Sequence, residues 1–228
     1  MQIKAIITGS TGMVGKGVLL ECLENPVVES VLLVNRRPVG IKHNKVKEII
    51  HNVFFELDEI ENELTGYNAC FFCLGISSVG KKEDVYKRIT YDLTINFART
   101  VLKQNPDITF CYVSGAGTDS SENGKLMWAN VKGKTENELL KMSFKNAYML
   151  RPALIQPVRG EKAVSQFINF MYTLTSPIYP MLKKAFPKYV TSTDNVGKAM
   201  INSVLQGNKS RILENRDINL VAEGKNHI

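Results

Sequence analysis

Three glycines at intervals of three, Gly9, Gly12 and Gly15, stand between a short apolar run and the first helical pattern, in Thr8-Gly-Ser-Thr-Gly-Met-Val-Gly15. A turn of this kind suits a pyrophosphate. The first glycine permits the tight turn, the second lets the backbone approach the ligand, and the third lets the helix pack closely on the strand. Phosphate oxygens would then face the free N–H groups and the positive dipole end of that helix, near Met13 and Val14. A lysine-type phosphate loop, G-x-x-x-x-G-K-[ST], does not fit. Ser10 stands where its first glycine belongs, and Gly17 follows Lys16, which leaves Lys16 as a helix-surface residue. About twenty residues beyond the third glycine, an acidic side chain would take the adenosine ribose hydroxyls of NAD. The chain instead reads Val34-Asn35-Arg36-Arg37. Two guanidiniums can clamp a ribose 2′-phosphate, which favours NADP(H) over NAD(H). The plainer reading, arginines facing solvent past a strand end, stays open at this point.

The elements that must hold these residues alternate in type. Strand-like runs cover Ile3–Thr8, Val31–Val34, Val46–Ile50, Ala69–Leu74, Ile108–Val113 and Ala147–Leu150. Between them, Val14, Val18 and Cys22 form a helical stripe ending near Asn25-Pro26. Val85, Ile89, Leu93, Phe97 and Val101 mark a long helix that stops before Asn105-Pro106, and Leu126–Met142 is a further helix. Strands that are apolar on both faces and separated by helices predict a doubly wound α/β fold, its mainly parallel sheet covered on both sides. In such a sheet the ligand lies at the carboxyl ends of the strands. One body over residues 1–228 is expected, without repeat or linker, with 154–228 forming a lid or substrate-side segment. There Val164, Phe167, Ile168, Met171 and Leu174 make an apolar stripe broken by Pro177 and Pro180, and another helix starts at Thr193 with Val196 and Met200 on one face.

Composition narrows the class. With 228 residues, 44% of them hydrophobic, the chain can build one α/β domain with a substantial core. No apolar run reaches the roughly 18 residues of a membrane helix, and no opening segment has the order of a secretory signal, so a cytoplasmic protein is the default. The net charge of +7 comes from scattered pairs such as Lys81-Lys82 and Lys183-Lys184. Without a dense basic helix or interleaved aromatic platform, it does not point to nucleic acid. Cys22, Cys70, Cys73 and Cys111 all sit in apolar stretches and read as reduced core thiols; no metal site is expected. Cys70 and Cys73 mimic a C-x-x-C redox pair, but an offset of three on a strand sends their sulfurs to opposite faces.

Taken together, these residues resemble the short-chain dehydrogenase/reductase superfamily in its atypical or extended branch. The glycine turn looks like that branch's T-G-x-T-G-x-x-G, which adds Ser10 and Thr11 to the expected cofactor contacts. The likeness extends through Asn35-Arg36-Arg37, Phe72-Cys-Leu-Gly75, Tyr112-Val-Ser-Gly-Ala-Gly117 and Leu150-Arg-Pro-Ala153. It is nearest to the small NADP-binding group that includes the Tat-interacting tumour-suppressor proteins, beside the NAD-dependent epimerase/dehydratases. The resemblance therefore implies a nicotinamide dinucleotide near Leu74, Gly75 and Pro152 as well. It is compatible with a homodimer.

In active members a serine ends the fifth strand and a Tyr-x-x-x-Lys pair lies on the next helix. The four-residue spacing puts both side chains on one face, where the ammonium lowers the phenol's pKa for proton exchange while hydride moves. By resemblance this chain supplies Ser114 and Lys132, but Trp128 stands at the tyrosine position. An indole N–H donates a hydrogen bond and does not act as a general acid or base near neutrality. Lys132 can also hold the nicotinamide ribose. Tyr112 reads as core, while Tyr86 and Tyr91 lie on the long helix with their direction open. The resulting expectation is an NADP-dependent oxidoreductase or epimerase acting on an unidentified small organic substrate. Its rival is a catalytically silent NADP(H)-binding regulatory or protein-interaction module.

Overall fold

The computed structural model describes residues 1–161, Phe186 and 188–225. In chain order its elements begin β1 (Ile3–Thr8), α1 (Met13–Glu24), β2 (Val28–Asn35), β3 (Val46–Ile50), β4 (Ala69–Phe72), α2 (Glu83–Lys87), α3 (Leu93–Gln104) and β5 (Thr109–Val113). They continue with α4 (Met127–Lys141), β6 (Asn146–Arg151), β7 (Leu154–Gln156), β8 (Val190–Ser192), α5 (Thr193–Gln206), β9 (Ile212–Glu214) and α6 (Asn215–Ala222). Seven strands form one sheet in the order β3-β2-β1-β4-β5-β6-β9. Every pairing in it is parallel. This is the doubly wound α/β Rossmann arrangement that the alternating pattern predicts. The strand order reverses between β1 and β4, so the loops leaving their carboxyl ends diverge and leave a crevice.

Alternation along β1 divides the core into two layers, because successive side chains point to opposite faces. Ile3, Ala5 and Ile7 pack with Val18, Leu19, Val196 and Met200 on the side of α1, α5 and α6. Ile6 packs with Phe72, Phe97, Phe110 and Leu139 on the side of α3 and α4. The same rule separates the thiols. Cys70 belongs to the second layer, whereas Cys73, just past the end of β4, packs against the first. Cys22, Cys70 and Cys111 are buried core thiols and Cys73 is partly exposed at the cleft wall; burial pushes all four thiols up.

The long helix differs from its expected register for a geometric reason. A repeat of four exceeds the 3.6 residues of an α-turn, so the stripe Val85 to Val101 drifts round the axis. A wider π turn at Arg88–Asp92 joins α2 to α3 and takes up the drift. Consequently Val85 faces solvent, while Tyr86 and Thr90 turn inward and Phe97 and Val101 reach the core.

Glycines also set how α1 meets the last third of the chain. A Cβ on Gly17 would lie 2.4 Å from Thr193 Cβ, and one on Gly197 would lie 2.8 Å from Glu21 Cβ, so α1 and α5 cross with their backbones nearly touching. Helix α5 begins at Thr193 as its pattern predicts. The expected stripe from Val164 to Leu174 and its prolines lie outside the described residues. Beyond the expected elements, β7 and β8 form a two-stranded sheet and β9 extends the main sheet beside β6.

Candidate functional site

The turn from β1 into α1 has two positions, Gly9 and Gly15, where only glycine fits. Gly9 has φ +72°, and a Cβ there would come within 2.7 Å of the Leu74 nitrogen. Gly15 lies directly behind it, where a Cβ would stand 2.3 Å from the Gly9 carbonyl oxygen. Gly12 is different. Its Cβ would meet only that same oxygen, at 3.4 Å, so its outer side stays open for a ligand to approach. Helix α1 starts there with no side-chain cap and no acidic residue in its first turn. Its positive end is therefore neutralised by nothing in that turn.

In front of this turn lies a cleft of about 430 Å³ at the carboxyl ends of β1, β2 and β4. Of the residues singled out from the sequence, Gly9, Thr11, Gly12, Asn35, Arg36, Arg37, Leu74 and Gly75 line it. Both arginines are exposed. Neither is ion-paired with a carboxylate among the described residues. Ser10 is fully buried, and its hydroxyl lies 2.7 Å from Asn35 Nδ2 and 3.0 Å from Asn35 Oδ1. The hydroxyl of Ser10 is thus engaged within the protein. Met13 and Val14 contribute the backbone of the first helical turn, and Gly15 the close packing behind it.

A second cavity of about 280 Å³ continues the first, sharing Arg36, Phe54, Leu74 and Gly75 with it. Its further walls are largely apolar, including Val53, Phe55, Ile76 and Leu93. Sequence reasoning missed this chamber. The one local signal is Val53-Phe54-Phe55 shortly after an edge strand, where apolar side chains have no sheet to cover.

The other expected site residues gather around the end of β5. Ser114 is buried, and its neighbour Thr118 donates its only hydroxyl proton to the Gly115 carbonyl at 2.7 Å. At 2.9 Å from Thr118 Oγ1, the Ser114 hydroxyl must then be the donor, which commits its proton inside the protein. Lys132 Nζ donates to the Ser114 carbonyl oxygen at 2.7 Å and stands 5.9 Å from the centre of the Tyr112 ring. Burial draws the Lys132 ammonium down to about 8, against the opposing pull of Glu136 one turn further along α4. Trp128, one turn before Lys132, lies against the loop after β5, where a Cβ on Gly117 would be 3.4 Å from its ring.

Among the described residues no nearby phenol replaces the missing tyrosine. Tyr112 is core, as expected; its hydroxyl is bonded to Thr135, and burial pushes its pKa far up. Tyr86 is buried too, and Tyr91 lies beneath Lys87 and Lys134, each 5.2 Å from its ring centre. Pro152 is buried beyond β6, where its carbonyl accepts the Ala116 N–H at 2.9 Å.

An ion pair that the sequence did not disclose fixes α4 in place. Glu136 is fully buried and receives two bonds from Arg151 Nε, at 3.0 and 3.1 Å. Arg151 also reaches Glu214 at 3.1 Å and the Ser120 hydroxyl at 2.6 Å. The arginine at the end of β6 thereby ties α4, the loop before it and β9 together.

No family model matches the chain. Among curated proteins, HTATIP2 of Rattus norvegicus is 25% identical over 224 residues, covering 96% of this chain and 89% of that protein. FMP52-2 of Scheffersomyces stipitis is 28% identical over 193 residues, covering 78% of this chain and 82% of its own length. Among solved structures, the Bordetella bronchiseptica enzyme WbmF in complex with NAD+ shares the fold with a TM-score of 0.67, 13% identity, and coverage of 100% of this chain and 80% of that one. UDP-N-acetylglucosamine 4-epimerases have the same fold. The expected Rossmann architecture is thus shared with these solved structures, and the chain has HTATIP2 and FMP52 proteins among its sequence relatives. The expectation of a cytoplasmic protein does not hold, because the FMP52 relatives are named as mitochondrial proteins. Among the described residues no helix is long and apolar enough to cross a membrane, and no cluster suits a metal ion.

Proposed function

We propose that this chain is an NADP(H)-binding protein of the atypical short-chain dehydrogenase/reductase type. The observation that carries this reading is the cleft in which Gly9 and Gly12, Arg36 and Arg37, and Leu74 and Gly75 come together at the strand-order reversal. Its residues suit the parts of the dinucleotide in turn. The open side of Gly12 and the uncapped start of α1 suit the pyrophosphate. Arg36 and Arg37, exposed and unpaired with carboxylates among the described residues, suit a 2′-phosphate. The apolar chamber beside Arg36 suits the flat adenine ring. The bound nicotinamide would supply hydride exchange, and Lys132 would hold its ribose. WbmF, solved with NAD+, and the epimerases of like fold support a nicotinamide cofactor in this architecture. Residues 154–228 we read as the substrate-side segment of the same domain.

Two observations favour the silent module over a working oxidoreductase or epimerase. The indole N–H of Trp128 is no general acid or base near neutral pH, and the Ser114 hydroxyl already donates to Thr118 instead of pointing a proton at a substrate carbonyl. The half-buried Lys132, lowered to about 8 by burial, stands beside that serine. Thermal unfolding with NADPH, NADP, NADH and NAD tests the cofactor reading. A ligand at 100 times its Kd adds about 2.7 kcal/mol of stability. For a chain of this size that is a rise of roughly 5 to 11 °C. The 2′-phosphorylated pair should give the larger rise, and equal rises for all four would count against the arginine clamp.

A further inference from the structure

We propose that Glu48, on the edge strand β3, is a positioning residue that sets the preference for a 2′-phosphorylated nucleotide without touching the nucleotide itself. This rests on the cofactor reading above. One oxygen, Glu48 Oε1, accepts two hydrogen bonds: from Asn35 Nδ2 at 2.8 Å and from the Val39 N–H at 3.0 Å. These donors bracket Arg36, Arg37 and Pro38, the stretch that carries both guanidiniums along the cleft wall. A single carboxylate oxygen thus pins both ends of the arginine loop to the sheet.

The same contact fixes the glycine turn. A carboxylate only accepts, so the Asn35 atom facing Glu48 must be the amide nitrogen. That leaves the second N–H of the amide for Ser10 Oγ at 2.7 Å, with Asn35 Oδ1 at 3.0 Å from the same hydroxyl. Ser10 and Asn35 are both buried, so water does not compete for these bonds. A line of contacts therefore runs from β3 through the end of β2 to the turn between Gly9 and Gly12. Glu48 does not line the cleft. Any influence it has on a nucleotide passes through the loop it holds.

Position and charge make opposite demands, which allows a clean test. Glu48→Gln removes the charge but keeps an acceptor oxygen at the same reach. Glu48→Asp keeps the charge and withdraws the oxygen by one methylene. Dissociation constants for NADPH and NADH would be measured by titration calorimetry on the full chain for the wild type and both variants. The ratio of the two constants is the readout, because a general loss of folding weakens both nucleotides alike. Losing one net hydrogen bond is worth about fivefold. Glu48→Asp should lower the preference for NADPH by about that factor, and Glu48→Gln should preserve it within about twofold. An unchanged ratio in Glu48→Asp overturns the proposal, as does an equal fall in both variants, which would make charge the cause. If the wild type binds neither nucleotide, the cofactor reading itself fails and this inference falls with it. If it binds both without preference, the cofactor reading survives and this inference is overturned.

Discussion

Replacing Arg36 and Arg37 together with alanine is the sharpest perturbation the cleft offers, because it removes charge without touching the fold. Both side chains are exposed, line the cleft, and pair with no carboxylate among the described residues. A charge-assisted hydrogen bond to a phosphate contributes about 1.5 kcal/mol at the low end, or roughly tenfold in affinity. Exposure to water and salt reduces that to about threefold for each guanidinium. The double variant should therefore bind NADPH roughly 10- to 100-fold more weakly, the lower figure applying at physiological salt. NADH, which lacks the 2′-phosphate, should change by no more than about twofold. Fluorescence titration at two salt concentrations reads both numbers, and raising salt should narrow the wild type's preference for NADPH. Equal weakening of the two nucleotides would refute the assignment, since the arginines would then be serving the pyrophosphate or the fold.

Other outcomes follow from the same geometry. Gly15→Ala places a methyl 2.3 Å from the Gly9 carbonyl oxygen, so chemical denaturation should find it less stable by about 1–3 kcal/mol, with nucleotide binding lost as the turn opens. Lys132 is lowered in the folded state to about 8 by burial, so the unfolded chain holds more protons between that value and the ordinary lysine range. Stability contributed by this group is therefore smallest below pH 8 and rises with pH through that window. Lys132→Met should remove the rise, and denaturant midpoints of both proteins from pH 7 to 10 measure the difference. Trp128→Tyr combined with Thr118→Val restores a phenol and releases the Ser114 proton, and should raise NADPH oxidation with a panel of small carbonyl compounds. No gain over the wild type, with NADPH still bound, would place the catalytic deficit elsewhere.

The parts of this account that were legible in the sequence are those written in consecutive residues. The turn at Gly9, Gly12 and Gly15 spells out its geometry within seven residues of chain, because Gly9 and Gly15 each answer a steric demand and Gly12 leaves its outer side open. The buried strands were equally plain, since a parallel sheet covered on both faces needs unbroken apolar runs. Features assembled across the fold were not. Glu136 and Arg151 lie on different elements and look like solvated charges until the sheet brings them together. Glu48 sits in a weak strand whose exposed neighbours hide it, and only the pairing of β3 with β2 brings it to Asn35. The apolar chamber draws on the segments after β3 and β4 and on the helix from α2 to α3, so no single stretch announces it. Strands β7, β8 and β9 are three residues each, too short for a period to register. The register of the long helix failed at Val85 because a π turn is invisible in a pattern counted by fours.

Titration calorimetry of the purified chain with NADPH and with NADH tests the central claim most directly. Saturable binding of one NADPH per chain, tighter than NADH, is the predicted result. Absence of binding by either nucleotide would contradict it.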